Sequence, residues 1–99
     1  MKTIYKFPIY IDKLNTILAN SAEFIHFERQ EEGLMVWAIV DTDKPSTYHC
    51  IIVVGTGWDI SRYTLKKHIG TVQTSGQYVW HAFEIEDPTQ EILKRHERS

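Results

Sequence analysis

The residues with the clearest potential for chemistry follow one apolar run near the middle of the chain. Residues 51–54 are four β-branched residues in a row, and they lead into Gly55-Thr56-Gly57, then Trp58 and Arg62. Successive backbone N–H groups at a helix N-terminus bind anions, and an aromatic ring beside a cation suits a base and a phosphate. The segment therefore predicts a loop that binds a small anionic or nucleotide ligand.

The same pair of glycines also has a purely structural interpretation. No Lys follows Gly57, as a Walker loop would require, and the spacing does not match a dinucleotide-binding fingerprint. Glycine adopts backbone angles that other residues avoid, so an isolated pair is a common signal for a turn at the end of a strand. Both interpretations remain open from the sequence.

Further candidate ligand-binding residues lie downstream, at Thr71, Gln73 and Trp80. A small residue followed by a hydroxyl occurs again in Gly70-Thr71-Val72-Gln73, which is consistent with a second segment that lines the ligand site. The alternative is that Gly70 lies in a strand that another backbone approaches closely. Trp80 shares a strand face with Tyr78 and Glu84, which fits a half-exposed sheet face, a stacking surface or a homodimer interface.

The polar residues give no pattern typical of an enzyme. The five histidines are dispersed, without the close spacing of a metal site, and serine-nucleophile motifs are absent. His81 and Glu84 are three positions apart on one predicted strand, so their side chains point to opposite faces, which argues against a pair in which Glu84 assists His81 as a general base. We therefore expect a non-enzymatic protein with no catalytic residue, no metal and no cofactor.

Composition limits the classes of partner. The chain of 99 residues has a net charge of −2, which argues against general nucleic-acid binding. Its single cysteine, Cys50, lies in an apolar run and fits a reducing compartment. The N-terminus lacks a signal-peptide pattern and no segment is apolar enough to span a membrane, so we expect a cytoplasmic protein.

Alternating apolar residues predict a mainly β (β-rich α+β) fold, a compact antiparallel sheet or sandwich of about six or seven strands. The clearest strands cover residues 3–10, 23–29, 34–41, 48–54, 69–73 and 77–85. Residues 34–41 and 48–54 are expected to form the core of the sheet, and Pro8 places the first strand at an edge. Residues 11–22 fit either a helix or a strand.

Two helices are expected besides the strands. Asp59 or Ser61 is suited to cap a short helix after Gly57, and Asp87-Pro88 is suited to begin a C-terminal helix. The domain organisation is a single β-rich domain at residues 1–86 and a helical tail at residues 87–99.

Four spaced blocks give the chain a family resemblance: Trp-Ala-Ile-Val-Asp at 37–41, Val-Gly-Thr-Gly at 54–57 with Ile60, Ile-Gly-Thr at 69–71 with Gln73, and Val-Trp-His-Ala-Phe-Glu at 79–84. This order resembles an uncharacterised family of small bacteriophage and prophage proteins. The resemblance covers roughly the first 85 residues, although residues 11–22 lack the Pro-Gly turn frequent in such proteins. It implies a phage product expressed in the host bacterial cytoplasm.

Small phage proteins often blunt host defence, so the resemblance suggests a protein that binds and sequesters a nucleotide-derived signal. One alternative is an inhibitor that docks on a host defence protein, suggested by the surplus of aromatic residues and the acidic stretches at 31–32 and 84–87. Another is a self-assembling phage structural or accessory protein. An edge strand and surplus aromatic residues favour a homodimer.

Overall fold

The computed structural model describes residues 1–89, which form seven β-strands and a single 3₁₀ turn. The strands are β1 (Lys2–Ile9), β2 (Asn15–Asn20), β3 (Glu23–Gln30), β4 (Gly33–Asp41), β5 (Ser46–Gly55), β6 (Leu65–Gln73) and β7 (Val79–Ile85). The 3₁₀ turn, Ser75–Gln77, joins β6 to β7. Within residues 1–89 no helix is long and apolar enough to cross a membrane.

The strands form two antiparallel sheets with the orders β1-β4-β3 and β2-β5-β7-β6. The expected mainly β class is therefore confirmed. Residues 15–20 settle the open choice in favour of a strand, and β1 lies at an edge as Pro8 predicted. Consecutive strands form antiparallel pairs in two places, β3 with β4 and β6 with β7.

One prediction about the core needs correction. The apolar runs of β4 and β5 were expected to lie together in one sheet, but each is the inner strand of a different sheet. Their inward side chains meet between the sheets instead, where Val36, Val40, Ile51 and Val53 are at most 2% exposed. Alternating apolarity defines which face of a strand is buried, and it does not define the neighbour across the ladder.

The sheets approach each other most closely where β3 faces β6. A Cβ added at Gly70 would lie 3.0 Å from the Cβ of Phe27, closer than real Cβ atoms tolerate without movement. Glycine is required at this point because it lets the two backbones come together. The close-approach interpretation of Gly70 is therefore the one that fits the structure.

The outer face of the four-stranded sheet carries a second, smaller apolar cluster of Cys50, Ile52, Val54 and Ile85. Ile60 and Tyr63, from the segment between β5 and β6, pack against it. No helix forms in this segment, so the predicted short helix after Gly57 is wrong. The predicted C-terminal helix would lie chiefly in residues 90–99, outside the described residues.

Candidate ligand-binding site

The turn after β5 is built around its two glycines. The N–H of Trp58 donates to the carbonyl of Gly55 at 3.1 Å, which closes a β-turn with Gly57 at its third position. Gly57 has φ +90°, a value that side chains disfavour and that this turn position requires. Gly55 is needed for a different reason, because an added Cβ would lie 2.8 Å from Nε1 of the Trp58 indole.

This geometry engages two of the N–H groups that were expected to form an anion nest. The N–H of Thr56 donates to the carbonyl of Val79, and the N–H of Trp58 is already engaged in the turn. Downstream, the Asp59 carboxylate accepts from the backbone N–H of Ser61 at 2.9 Å and from its hydroxyl at 2.6 Å. These bonds form a local turn in place of a helix start, and they lower the pKa of Asp59. The turn therefore positions Trp58 and does not itself present free N–H groups at those two residues.

Trp58 forms an aromatic cluster with residues at the start of β7. Its ring stands edge-on to Trp80, with centroids 5.6 Å apart, and Tyr78 stacks on Trp80 at 6.1 Å. Trp80 is held in place by its indole N–H, which donates to the Thr74 hydroxyl at 3.1 Å. Trp58 and Tyr78 remain 50% and 63% exposed. Together with Gly55 and Thr56, these rings line an aromatic cleft at the end of the four-stranded sheet.

A second cleft, of about 500 Å³, lies along β5 and is also lined by Trp58. Its floor is Ile52–Val54, and its walls are the loop between β1 and β2 and the segment that follows Trp58. Two cations and two carboxylates line it: Lys13, Arg62, Asp12 and Asp59. Arg62 donates to the Tyr63 hydroxyl at 2.7 Å, so its guanidinium is partly oriented. We refer to this as the edge cleft.

A chain of hydrogen bonds crosses the outer face of the four-stranded sheet. His81 Nε2 lies 2.7 Å from the Thr56 hydroxyl, and its Nδ1 lies 3.0 Å from the Thr71 hydroxyl, which in turn lies 3.0 Å from His68 Nε2. A neutral imidazole donates through one nitrogen and accepts through the other. His81 therefore joins the turn after β5 to strand β6.

A second polar group lies at the opposite end of the sheet. The carboxylate of Glu84, a residue only 8% exposed, lies 3.2 Å from Nδ1 of His49, and His49 Nε2 lies 3.1 Å from the Thr47 hydroxyl. The order of hydroxyl, imidazole and carboxylate is shared with nucleophile triads. Lys66 Nζ approaches the same carboxylate at 3.8 Å. Since buried polar groups need partners, this network keeps Glu84 satisfied inside the sandwich.

Residues 1–92 match the family described as a domain of unknown function, DUF7352. The chain belongs to this family. All seven strands and both clefts lie within the DUF7352 match. No curated protein and no solved structure shows significant similarity to the chain. The match confirms that the chain belongs to a family of unknown function, and nothing in it ties that family to bacteriophages.

Within this DUF7352 domain, most of the predicted ligand-binding residues cluster around Trp58. Gly55, Thr56 and Trp80 line the aromatic cleft with it, and Arg62 lines the edge cleft. Thr71 reaches the same region only indirectly, through the hydrogen bonds of His81. Gln73, at the end of β6, is exposed and lines neither cleft.

At β7, the predicted strand face that carries Tyr78, Trp80 and Glu84 was interpreted as a half-exposed sheet face, a stacking surface or a homodimer interface. The half-exposed interpretation fails from Ala82 onward, because there this face points into the sandwich, where Ala82 is fully buried and Glu84 is 8% exposed. Only the end of the strand, at Trp80, opens to the aromatic cleft. The His49–Glu84 contact went unpredicted because it depends on the register between β5 and β7, which one sequence does not reveal.

Proposed function

We propose that the protein binds and sequesters a small anionic, nucleotide-derived ligand at Trp58. The observation that supports this most directly is the position of the half-exposed Trp58 indole between two clefts of different character. One cleft supplies aromatic rings, and the other supplies Lys13 and Arg62.

The two clefts match the two parts of a nucleotide. Bases stack on aromatic side chains regardless of sequence, and each stacked base contributes about 1–3 kcal/mol. A guanidinium forms charge-assisted hydrogen bonds to phosphate oxygens. Two carboxylates in the edge cleft, Asp12 and Asp59, oppose an anion, and the hydrogen bonds from Ser61 hold Asp59 in its local turn.

The biological role follows from the resemblance to small phage proteins. On that basis the ligand is a nucleotide signal of host defence, and the protein acts in the host bacterial cytoplasm by lowering the free concentration of that signal. Sequestration needs tight binding and no chemical step.

A thermal-shift panel tests the proposal directly. The purified protein is heated with cyclic nucleotides, nucleoside monophosphates and ADP-ribose-type compounds, each at large excess. A ligand at 100 times its Kd adds about 2.7 kcal/mol to the free energy of unfolding, which is readily seen as a higher Tm. Unchanged melting across the whole panel would contradict nucleotide binding.

A second candidate function, docking on a host defence protein, is favoured by the outer face of the three-stranded sheet. Ile4 pairs with Ile39 across β1 and β4, and Ile4 is 56% exposed. Trp37 lies two pairs further along on the same face, opposite Lys6, with the His26 ring 5.2 Å away. An apolar face rimmed by polar side chains suits a partner or a second copy of the chain.

Affinity capture from host lysate and light scattering distinguish these options. A stoichiometric host protein that is lost with Trp37→Ala would support docking, and a dimer that dissociates with the same variant would support self-association. Retention of either complex by Trp37→Ala would exclude this face as its interface.

A further inference from the structure

Strand β5 extends beyond the end of its neighbour β2. The β2–β5 ladder runs from Asn20 opposite Ser46 to Asn15 opposite Ile51, and β5 continues to Gly55. Over these last residues β7 still pairs on one side. On the other side lies the edge cleft, so the structure leaves a short stretch of open sheet edge at its floor.

Two contacts establish which main-chain groups point to that open edge. The side-chain amide of Asn15 donates to the carbonyl of Ile51 at 3.2 Å, from the β2 side. The N–H of Thr56 donates to Val79 on the β7 side. Since main-chain groups alternate between the two edges of a strand, both the N–H and the C=O of Val53 point toward β2 and into the cleft.

Val53 has no hydrogen-bond partner for these groups among residues 1–89. The ladder with β2 ends before it, and no turn, loop or side-chain hydrogen bond reaches it. Val53 is nevertheless only 2% exposed, and its side chain packs in the core between the sheets. The part of Val53 that lines the edge cleft is therefore its main chain. Buried main-chain N–H and C=O groups have a hydrogen-bond partner in more than roughly 90% of cases.

The N–H and C=O of one extended residue lie side by side and point the same way, which is why facing residues exchange two hydrogen bonds. A ligand complementary to Val53 needs an acceptor and a donor adjacent on one flat edge. Nucleobases have such an edge, as in the ring nitrogen and amino group of adenine.

We propose that the main chain of Val53 recognises the hydrogen-bonding edge of a nucleobase, with Trp58 as its stacking surface and Lys13 and Arg62 near its phosphate. This rests on the proposed binding of a nucleotide at Trp58, and it places the base as well as the phosphate in the edge cleft, which Val53 and Trp58 both line. An added peptide strand would use a row of main-chain pairs. Here Ile51 is paired with Asn15, and the Gly55 carbonyl is occupied by Trp58, so within residues 1–89 Val53 is the one residue of this edge with neither main-chain group engaged.

The first measurement needs no ligand. Amide hydrogen exchange of the free protein should show Val53 exchanging faster than Ile52 and Val54, whose main-chain groups face β7. These two neighbours are matched internal controls, since all three are deeply buried. Protection of Val53 equal to that of its neighbours would overturn the proposal whatever the protein binds.

The second measurement changes the ligand and leaves the protein unaltered. AMP, GMP and UMP are compared with N6,N6-dimethyl-AMP, N1-methyl-GMP and N3-methyl-UMP, in which methylation blocks the donor–acceptor edge. For a nucleotide that binds, methylation should weaken affinity by about tenfold or more, as expected for two lost hydrogen bonds. The unmethylated form should also slow exchange at Val53.

The outcomes separate this proposal from the proposed function. Equal affinity for methylated and unmethylated nucleotides, with binding lost in Trp58→Ala, would overturn recognition by Val53 and leave nucleotide binding intact. Failure of every nucleotide to bind would overturn both. Protection of Val53 by a blocked Thr-Lys-Thr-Lys peptide, and by no nucleotide, would assign the open edge to strand addition and overturn base recognition.

Discussion

Nδ1 of His49 lies 3.2 Å from a carboxylate oxygen of Glu84, so a side-chain contact joins β5 and β7 in addition to their ladder. The two residues are not directly opposite, since Glu84 pairs with Ile51. They meet diagonally on the inner face, beside the edge-on ring of Phe24. This position makes the pair part of the sandwich interior, which gives it consequences for stability.

Loss of the Glu84 carboxylate should destabilise the fold. We expect Glu84→Ala to lower the free energy of unfolding by about 1–3 kcal/mol, because it leaves His49 without its buried partner. Glu84→Gln retains an acceptor and should cost less. Urea denaturation measures both, with the exposed Glu86→Gln as the matched control. Equal stability of all three variants would show that the contact is energetically neutral.

Gly70→Ala should also lower stability. The new Cβ would meet the Phe27 Cβ at 3.0 Å, and Phe27, only 3% exposed, has little room to shift away from it. Overpacking of this kind costs about 1–3 kcal/mol. Thermal unfolding compares it with Gln73→Ala, an exposed position on the same strand, which should change stability little.

The Cys50 thiol should be unreactive in the folded protein. Burial raises its pKa, so the reactive thiolate is disfavoured. The folded state therefore prefers the protonated thiol. The contribution of this preference to the free energy of unfolding is fully present below the pKa of the thiol in the unfolded chain. It is lost as the pH rises through the higher pKa of the thiol in the folded protein. Thiol labelling should be slow in buffer and rapid in urea, and Cys50→Ala should flatten the alkaline decline in stability. Rapid labelling of the native protein would contradict this account.

Asp59 should make the segment around the edge cleft sensitive to acid. Hydrogen bonds from the Ser61 hydroxyl and backbone lower its pKa, so the folded state prefers the carboxylate. The stability it contributes is present above the unfolded pKa of about 4 and is lost as pH falls through the lower folded value. Asp59→Asn should remove this acid dependence, as followed by tryptophan fluorescence between about pH 2 and 6. An unchanged titration in that variant would assign the acid response to another group.

Substitutions of opposite charge in the edge cleft should have opposite effects on nucleotide affinity. We expect Arg62→Gln to weaken binding by about tenfold through loss of a charge-assisted contact, and Asp12→Asn to strengthen it. Arg29→Gln, exposed on β3, is the matched control. Calorimetry with the tightest nucleotide of the thermal-shift panel measures all three. A weaker complex with Asp12→Asn would contradict an anion at this cleft.

Local patterns in the sequence were sufficient for the strands and for part of the site. The alternation in residues 79–85 correctly places His81 and Phe83 on one face of the strand and Trp80 and Ala82 on the other, although it did not identify the face of Trp80 and Ala82 as the buried one. The two hairpins have a glycine with positive φ in their turns, Gly33 in one and Gly76 in the other. These features depend on residues close in sequence, which is why periodicity and turn composition predict them.

The features that escaped prediction depend on distant residues or on competing local bonds. Asp59 and Ser61 are residue types that suit both the start of a helix and an isolated turn, and in the structure they form the turn. In this turn conformation, Ile60 and Tyr63 pack on the outer apolar cluster. The open edge at Val53 exists only because β2 ends opposite Ile51. Neither the length of a neighbouring strand nor its register is encoded in the run 51–54 itself.

The order of the strands also has a consequence for how fast the chain folds. Of the five pairings, only β3–β4 and β6–β7 join consecutive strands. The others must bring together residues as distant as Lys2 and Asp41 before either sheet is complete. Long loop closures of this kind are typical of sandwiches that fold in milliseconds to seconds. We expect the two hairpins to form early and β1, held at one edge by its distant partner β4, to dock late.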